Sequence, residues 1–187
     1  QQPILKNIIK GALGLNDNKI YARKCNIEVI PSKDMKQFFN NNNIQGFRPG
    51  KFAICLKYND EIVMSYMMGS AFFGKGKYEW EVIRGATKLN TTVVGGASKI
   101  WKYFIDNYNP KSIVYYVDYN YFNGKSLPYL GLTYIKTQPS FKNYFIKDNI
   151  VKNRDPMHHK QIKEGYEDGS ILQIWNAGSK VYVWESN

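Results

Sequence analysis

A pair of glycines stands directly before the clearest amphipathic helical pattern in the sequence. Gly95 and Gly96 follow two valines, and from Ile100 to Ile105 apolar residues recur at the spacing of one helix face. Glycine lets a phosphate approach the backbone N–H groups at a helix start, where the helix dipole favours negative charge. The same glycines also suit tight packing of a strand on a helix, so the motif predicts either an anion site or a packing contact. The candidate anion-binding residues are Val94, Gly95, Gly96, Ala97, Ser98 and Lys99.

An arginine and an aspartate end two of the predicted strands. Arg84 ends the run YEWEVIR, and Asp118 follows the run SIVYYV. If these strands are parallel neighbours, both side chains lie at the carboxyl edge of the sheet, where ligands bind in such sheets. Asp118 could there orient or deprotonate an amine, and Arg84 could hold a carboxylate or a phosphate. The alternative is a structural ion pair that closes the sheet edge.

The charge balance favours a polyanionic partner. The chain has 26 Lys and Arg against 15 Asp and Glu, a net charge of +11, and its pI is near 9.5. Nucleic acid is the first expectation and an acidic membrane surface the second. Aromatic residues in the loop after Asp118 could stack on a base; the alternative is a solvated basic surface with ordinary aromatic packing. The candidate nucleic-acid contacts are Arg23, Lys24, Arg48, Lys75, Lys77 and Tyr121.

Composition excludes several classes of protein. The 187 residues are 43% hydrophobic and 22% charged, which predicts one compact domain with a real core. A mean hydropathy of −0.47 argues against an integral membrane protein. Residues 1–19 carry no secretory signal pattern, so we expect a reduced, cytoplasmic compartment. The chain does not begin with Met, and the sequence leaves open whether it is part of a longer protein.

Metal, disulfide and nuclease chemistry find little support in the sequence. Two cysteines make neither a disulfide framework nor a CxxC zinc motif. His158 and His159 are adjacent and would point about 100° apart in a helix, so we predict no metal site. Neither a Ser-His-Asp signature nor a Walker loop, a GIY-YIG motif or an HNH-like cluster is found.

Hydrophobic periodicity predicts an α+β (mixed α/β) fold: a central mixed sheet flanked by helices, with a C-terminal hairpin extension. The first predicted elements are a strand at 20–30 and a helix that Ser32 caps and the Asn run at 40–43 ends. Antiparallel strands follow at 52–58, 61–68 and 78–84, with a turn at 74–77, and then a loop through 93–94, a helix after Gly96 and a strand at 112–117 parallel to 78–84. The last predicted elements are a short helix at 125–130, strands at 132–136 and 144–146, a helix after Pro156, and a hairpin of 171–175 with 180–184. The predicted boundaries are a stub or linker at 1–19, a core at 20–150 and an extension at 151–187.

The order of elements and the glycine turn resemble the GNAT (acetyltransferase-like) fold. That family's turn follows the pattern R/Q-x-x-G-x-G/A, which Gly95 and Ala97 match, while Thr92 stands at the Arg or Gln position. The run LGL at 130–132 resembles the family's Y-x-x-L-G-F, with Leu127 in place of the Tyr and Leu132 in place of the Phe. The resemblance implies that the turn holds the pyrophosphate of acetyl-CoA or a related acyl donor.

A further resemblance covers residues 19 to 183 and concerns phage proteins. The runs KIYARKC, NNIQG, YEWEVIR, VVGGASK and IWNAGSKVYV resemble a phage domain found at the C-terminal end of homing endonucleases, behind a separate nuclease module. The layout E-x-x-R…S-Y-x-D also resembles Mom-type phage proteins, which modify adenine in DNA on a GNAT-like scaffold. Glu81, Arg84, Tyr116 and Asp118 match it, and Tyr115 replaces the Ser.

Together these resemblances imply a phage-encoded domain that acts on nucleic acid in the host cytoplasm, with DNA as the first expectation. The predicted activity is acyl transfer or modification of a nucleobase, with Asp118, Arg84 and Tyr116 as catalytic residues. The alternative is a catalytically inactive DNA-binding module of a homing endonuclease, in which the glycine turn grips a DNA phosphate.

Overall fold

The computed structural model describes residues 2–72, 76–139, 143–147, 150–153, 164–165, 167–169 and 172–186. Its helices and strands are α1 (Gln2–Ala12), β1 (Asn18–Tyr21), β2 (Asn26–Pro31), α2 (Lys36–Asn42), β3 (Phe52–Tyr58), β4 (Glu61–Ser70), β5 (Trp80–Thr87), β6 (Thr91–Val94), α3 (Gly96–Tyr108), β7 (Ser112–Asp118), β8 (Thr133–Gln138), β9 (Asn143–Lys147), β10 (Ile150–Asn153), β11 (Leu172–Trp175) and β12 (Ser179–Glu185).

A seven-stranded sheet runs in the order β2-β3-β4-β5-β7-β12-β8. Strands β2 to β5 pair antiparallel in sequence order, and β5 pairs parallel with β7. Asn59 and Asp60 join β3 to β4 with positive φ at both residues, a conformation that Asn and Asp tolerate well in tight hairpins. The mixed α/β class, the three antiparallel strands and the parallel partner of β5 are therefore confirmed.

Each face of this sheet is covered by a helix. Phe39 of α2 and Met35, which ends the 3-10 turn before α2, lie in a buried cluster with Cys55 and Met67 of the sheet. On the other face α3 contributes Phe104 to an aromatic group in which its ring lies 5.2 Å from that of Trp80. The apolar stripe of each helix thus faces the sheet, as its periodicity predicts.

Internal contacts divide the chain into two units. The first comprises Gln1–Tyr116, Ser126–Thr133 and Tyr182–Asn187, and the second comprises Val117–Lys125 and Tyr134–Val181. In the second unit β9 pairs antiparallel with both β10 and β11. The predicted boundaries at residues 19 and 150 stay predictions.

The N-terminal half departs from the predicted elements in three places. The single strand predicted at 20–30 is interrupted by a 3-10 turn at Ala22–Lys24, which the Cys25 N–H closes on Ala22 O at 3.0 Å. Val93 and Val94 belong to β6, which pairs parallel with β1, because β-branched residues favour extended backbone over a loop. Ser32 does not cap α2; its Oγ instead accepts the Gly50 N–H at 2.9 Å.

The C-terminal part departs further. The predicted hairpin of 171–175 with 180–184 is wrong, because β11 pairs with β9 while β12 joins the seven-stranded sheet. The strand predicted at 144–146 pairs with β10 and β11 rather than beside 132–136. The short helix predicted at 125–130 is a single 3-10 turn, Leu127–Leu130. Residues 73–75 of the predicted turn, and 154–163 of the helix after Pro156, lie outside the described residues.

Candidate functional site

Helix α3 begins at a left-handed glycine. Gly95 has φ +75°, and a Cβ there would meet only the Ala22 Cβ, at 3.9 Å. Helix geometry leaves the N–H groups of the first turn without intrahelical acceptors. Where the structure describes the chain, no side chain caps this end. The backbone therefore presents uncapped donors at the positive end of a 13-residue helix, the arrangement that an anion site needs.

Gly96 has a packing role. A Cβ on Gly96 would lie 2.5 Å from the Sδ of Met64 and 2.9 Å from Cγ1 of Val93, closer than real Cβ contacts come. Met64 pairs with Thr87 at the end of β5, so the start of α3 rests against that end of the strand. The two roles predicted for the glycine pair therefore fall on different residues. Gly96 supports the packing contact, whereas Gly95 supplies the turn.

Lys99 is engaged within the protein. Its ammonium donates to Ala22 O at 3.0 Å and to Cys25 O at 2.6 Å, and its backbone N–H donates to Gly95 O at 3.0 Å. The lysine thereby fastens the turn after β1 to the first turn of α3. Its role as an anion ligand stays a prediction, and the geometry points to Gly96, Ala97 and Ser98 as the donors.

Strands β5 and β7 separate beside this helix start. Their pairing covers only residues 80–82 against 113–115, although β5 continues to Thr87. The hydroxyl oxygen of Tyr115 and the ring of Tyr66 each lie 2.9 Å from where a Cβ on Gly85 would be. Glycine at position 85 therefore makes room for a tyrosine pair in the opening between the two strands.

Both tyrosine hydroxyls are held in their neutral form. Burial raises the pKa of Tyr66, and burial raises the pKa of Tyr115 to about 12, partly offset by the Arg84 charge. The two rings lie 6.2 Å apart, edge to face. Tyr115, which replaces the Ser of the Mom-type layout, thus brings a proton donor to the opening. The sequence identifies Tyr115 at this position of the motif, but only the structure shows that Gly85 leaves space for its side chain.

A bulge in β5 brings Glu81 and Arg84 to one face. Met67 pairs with Arg84 and Met68 with Val82, so Ile83 is an extra residue on β5. Regular alternation would put residues 81 and 84 on opposite faces. With the bulge, both lie on the face that α2 covers. Arg84 is inside the strand rather than at its end, where the sequence placed it.

The loop after α2 holds Arg84 in place. Its Nε donates to Gly46 O at 3.1 Å and its NH1 to Ile83 O at 2.8 Å. Asn43 donates from Nδ2 to Gly85 O at 2.9 Å. The asparagine run, predicted only to end α2, therefore also ties the loop to β5. Side-chain amides at a helix end commonly bind backbone in this way, which is the signal that could have suggested it.

Tyr116 lies one residue beyond Tyr115, and alternation places its side chain on the other face, with Glu81. Burial, with the Glu81 carboxylate and Tyr78 as further causes, raises the pKa of Tyr116. The residue is therefore a neutral hydroxyl at physiological pH. Its predicted catalytic role stays a prediction.

Asp118 ends β7 and belongs to the second unit. Its Oδ1 accepts hydrogen bonds from the backbone N–H of Asn120 at 3.0 Å and from the Asn120 amide at 2.7 Å. Asn120 Oδ1 in turn accepts the Ala177 N–H at 3.0 Å. The carboxylate thus organises the loop that follows β7. Its predicted role as a base stays a prediction.

The predicted nucleic-acid contacts of the first unit are spread over several elements. Arg23 lies over the Tyr21 ring at 5.2 Å, Arg48 over Phe72 at 5.4 Å and Lys77 over Tyr78 at 5.3 Å. Lys24 ends the 3-10 turn after β1. Lys75 lies outside the described residues. A partner that these residues share stays a prediction.

The second unit carries a group of exposed aromatic side chains. Tyr121 is 37% exposed, and its ring lies 6.4 Å from that of Phe122. Lys180 places its ammonium 4.3 Å from the ring of the exposed Tyr119. Aromatic faces beside a lysine are the arrangement that stacks on unpaired bases.

Two negative findings concern the described residues only. No cluster of three or more His, Cys, Asp or Glu side chains that could hold a metal ion occurs among them, and His158 and His159 lie outside them. None of the helices in this part of the chain has the length and apolar character to cross a bilayer.

No family model and no curated protein matches the chain. Its fold is similar to that of an IAA acetyltransferase from Bacillus cereus ATCC 14579, with a TM-score of 0.47 and 12% identity, covering 87% of this chain and 99% of that one. It is also similar to a GNAT family acetyltransferase from Elizabethkingia anophelis with acetyl-CoA bound, with a TM-score of 0.45 and 14% identity, covering 86% and 99%. The resemblances to phage endonuclease domains and to Mom-type proteins stay predictions.

Proposed function

We propose that the chain is an acyltransferase-like enzyme that takes a phosphate-bearing acyl donor, such as acetyl-CoA, and modifies nucleic acid. The observation that carries this is the start of α3, where uncapped N–H groups follow the left-handed Gly95 beside the opening between β5 and β7. An anion at the first turn satisfies those donors and the helix dipole together.

The chain's own residues would divide the work. The N–H groups of Gly96, Ala97 and Ser98 hold the donor's phosphate, and the opening between the strands admits its extended arm. A bound acyl-CoA supplies a thioester, whose acyl group passes to an amine with release of a thiol. Tyr115 donates a proton to the departing sulfur, a task for which its neutral hydroxyl suits it. Positioning of both reactants supplies most of the rate gain.

Asp118, Arg84 and Tyr116 complete the proposal as the sequence predicts them. Asp118 accepts the proton that the acceptor amine loses, Arg84 orients the acceptor, and Tyr116 adds a hydroxyl on the Arg84 face. Asp118→Asn tests the first role sharply, because an amide oxygen still accepts both Asn120 hydrogen bonds while the charge is removed. Loss of modification with an unchanged Tm supports the base role. A large fall in Tm shows a structural role instead.

Binding of the donor is tested by a charge placed at its site. Ser98 is exposed in the first turn of α3, so Ser98→Asp should stabilise the helix slightly while it repels a phosphate. Acetyl-CoA should raise the Tm of the wild type and of the neutral control Ser98→Asn, and should lose this effect on Ser98→Asp. If acetyl-CoA shifts all three Tm values equally, or none, the donor site is wrong.

Nucleic acid as the target rests on the net charge of +11 and on the predicted basic residues. Mass spectrometry of nucleosides from DNA and RNA of cells that express the protein tests it. A new base mass that Asp118→Asn abolishes supports the proposal. An unmodified nucleoside profile, together with acylation of another amine, contradicts it.

A second function, a DNA-binding module without chemistry, is favoured by the exposed aromatic group of the second unit. Under this alternative Tyr121→Ala weakens the binding of single-stranded DNA by roughly 1–3 kcal/mol, and the affinity falls steeply as the salt concentration rises. The matched control is Tyr129→Ala, which removes a 90% exposed tyrosine of the first unit. Tight salt-dependent binding without a Tm shift from acyl-CoA would select the module over the enzyme.

A further inference from the structure

A cavity separate from the start of α3 lies on the α2 side of the sheet, within the first unit. Its volume is about 200 Å³, below that of drug-sized ligand sites. Gly50 and Gly69 form part of its wall: a Cβ on Gly69 would lie 3.5 Å from the Gly50 Cα, and a Cβ on Gly50 would lie 2.6 Å from Met68 O. The close approach of these two backbone segments needs glycine at position 50, whereas a Cβ at position 69 would mainly displace the end of the Ile83 side chain, 2.5 Å away.

A buried carboxylate lines this cavity. Glu81 is only 4% exposed, and its Oε2 accepts the Phe72 N–H at 3.0 Å. Within the described part of the chain, the salt bridges join other residues, and none places a lysine or arginine nitrogen within 4.0 Å of Glu81. A buried charge is costly unless it is paired. Glu81 is therefore placed to receive a cationic group from a ligand.

Two cationic residues line the same cavity, but only Arg48 keeps its charge on the α2 side. The Arg48 guanidinium lies 5.4 Å from the centre of the Phe72 ring, and the Lys51 ammonium lies 4.4 Å from that of Trp80. Both residues belong to the chain segment that leads into β3. Because the Trp80 ring packs with Phe104 on the α3 face, the cavity on the α2 side combines the Glu81 carboxylate with the Arg48 guanidinium alone. This pattern suits a molecule carrying charge of both signs.

We propose that this cavity binds a small zwitterion, with its ammonium group on Glu81 and its phosphate or carboxylate on Arg48. The cavity shares none of its residues with the predicted donor site at 94–99. The proposal concerns binding only, so it stands or falls independently of acyl transfer.

Calorimetry on the full chain with three matched probes tests the proposal. The probes are 2-aminoethyl phosphate, ethyl phosphate, which lacks the ammonium, and ethylamine, which lacks the phosphate. We expect 2-aminoethyl phosphate to bind at least roughly tenfold more tightly than either fragment, since both charges are matched only by the zwitterion. Equal affinity for ethyl phosphate, or no binding by any probe, overturns the proposal.

Variants assign the two ends of the ligand. Glu81→Gln should reduce the affinity for 2-aminoethyl phosphate to that for ethyl phosphate and leave ethyl phosphate unweakened. Arg48→Met, which keeps an apolar stem, should weaken the binding of both phosphates, whereas the exposed control Lys36→Met should weaken neither. Unchanged binding in Arg48→Met overturns the assignment. That variant and the wild-type comparison decide the matter even if Glu81→Gln does not fold.

Discussion

Strand β5 has two faces of different character. The α3 face carries Val82, Trp80 and Gly85, and neutral tyrosines line the opening beside Gly85. The α2 face carries Glu81 and Arg84, each held by backbone groups of neighbouring segments. The first face offers backbone donors and hydroxyls; the second offers charged side chains. One strand thus separates the side of the proposed donor site from the side of the proposed zwitterion cavity.

The glycine packing of the α3 face gives the largest expected effect. Gly96→Val places two methyl groups and a Cβ against Met64 Sδ, which a Cβ alone would already approach to 2.5 Å. We expect a loss of about 3 kcal/mol, at the upper end for overpacking, measured by chemical denaturation. The exposed neighbour Ser98→Ala should stay within about 0.5 kcal/mol. A stable Gly96→Val would show that the helix start does not need this contact.

The α2 face should lose stability first at alkaline pH. Burial, as the main cause, raises the pKa of Cys55 from 9.0 to about 11. The folded state therefore favours the neutral thiol, and that contribution is complete below pH 9 and lost as pH rises towards 11. The expected loss is on the order of 2 kcal/mol.

Denaturation at pH 8 to 11 on the wild type and on Cys55→Ala separates this contribution. The variant should be less stable throughout but should show a shallower fall across that window. A parallel fall in both proteins would mean that Cys55 does not titrate there. The tyrosines of the α3 face should reduce stability only at higher pH, since the pKa of Tyr115 is raised to about 12.

The asparagine run offers a matched pair of variants. Asn43→Ala removes the hydrogen bond to Gly85 O and the acceptor for the Gln45 N–H, so we expect a loss of about 1 kcal/mol. Asn41 is exposed, and Asn41→Ala should change stability by less than about 0.5 kcal/mol. Equal effects would show that the loop is not tied to β5 through Asn43.

The smallest effect on stability is expected from Tyr115→Phe. Only a hydroxyl is lost, so stability should change by less than about 0.5 kcal/mol. A titration followed by tyrosinate absorbance should lose one group with a pKa near 12. In the acyl-transfer assay the same variant should be slow, because it lacks the proton donor. An unchanged rate would remove Tyr115 from the proposed chemistry.

Much of this arrangement could be predicted from local pattern. The antiparallel strands 52–58 and 61–68 follow from apolar runs on both sides of Asn59-Asp60, and α3 follows from its apolar stripe. Other features depend on long-range partners: β6 is extended because β1 lies beside it, and β12 pairs in the large sheet rather than with β11. Lys99 reads as an anion ligand in the sequence, and only the folded chain shows two carbonyl oxygens at its ammonium.

The extra residue at Ile83 also bears on how such chains should be compared. Two side chains share a strand face without distortion when one residue separates them, and here two residues separate Glu81 from Arg84. A chain written E-x-R with a regular strand is therefore geometrically equivalent to E-x-x-R with this distortion. A one-residue deletion between them would preserve the shared orientation, whereas one insertion elsewhere in the strand would reverse it for everything downstream. Relatives aligned without a gap at this point would be misjudged as lacking the pair.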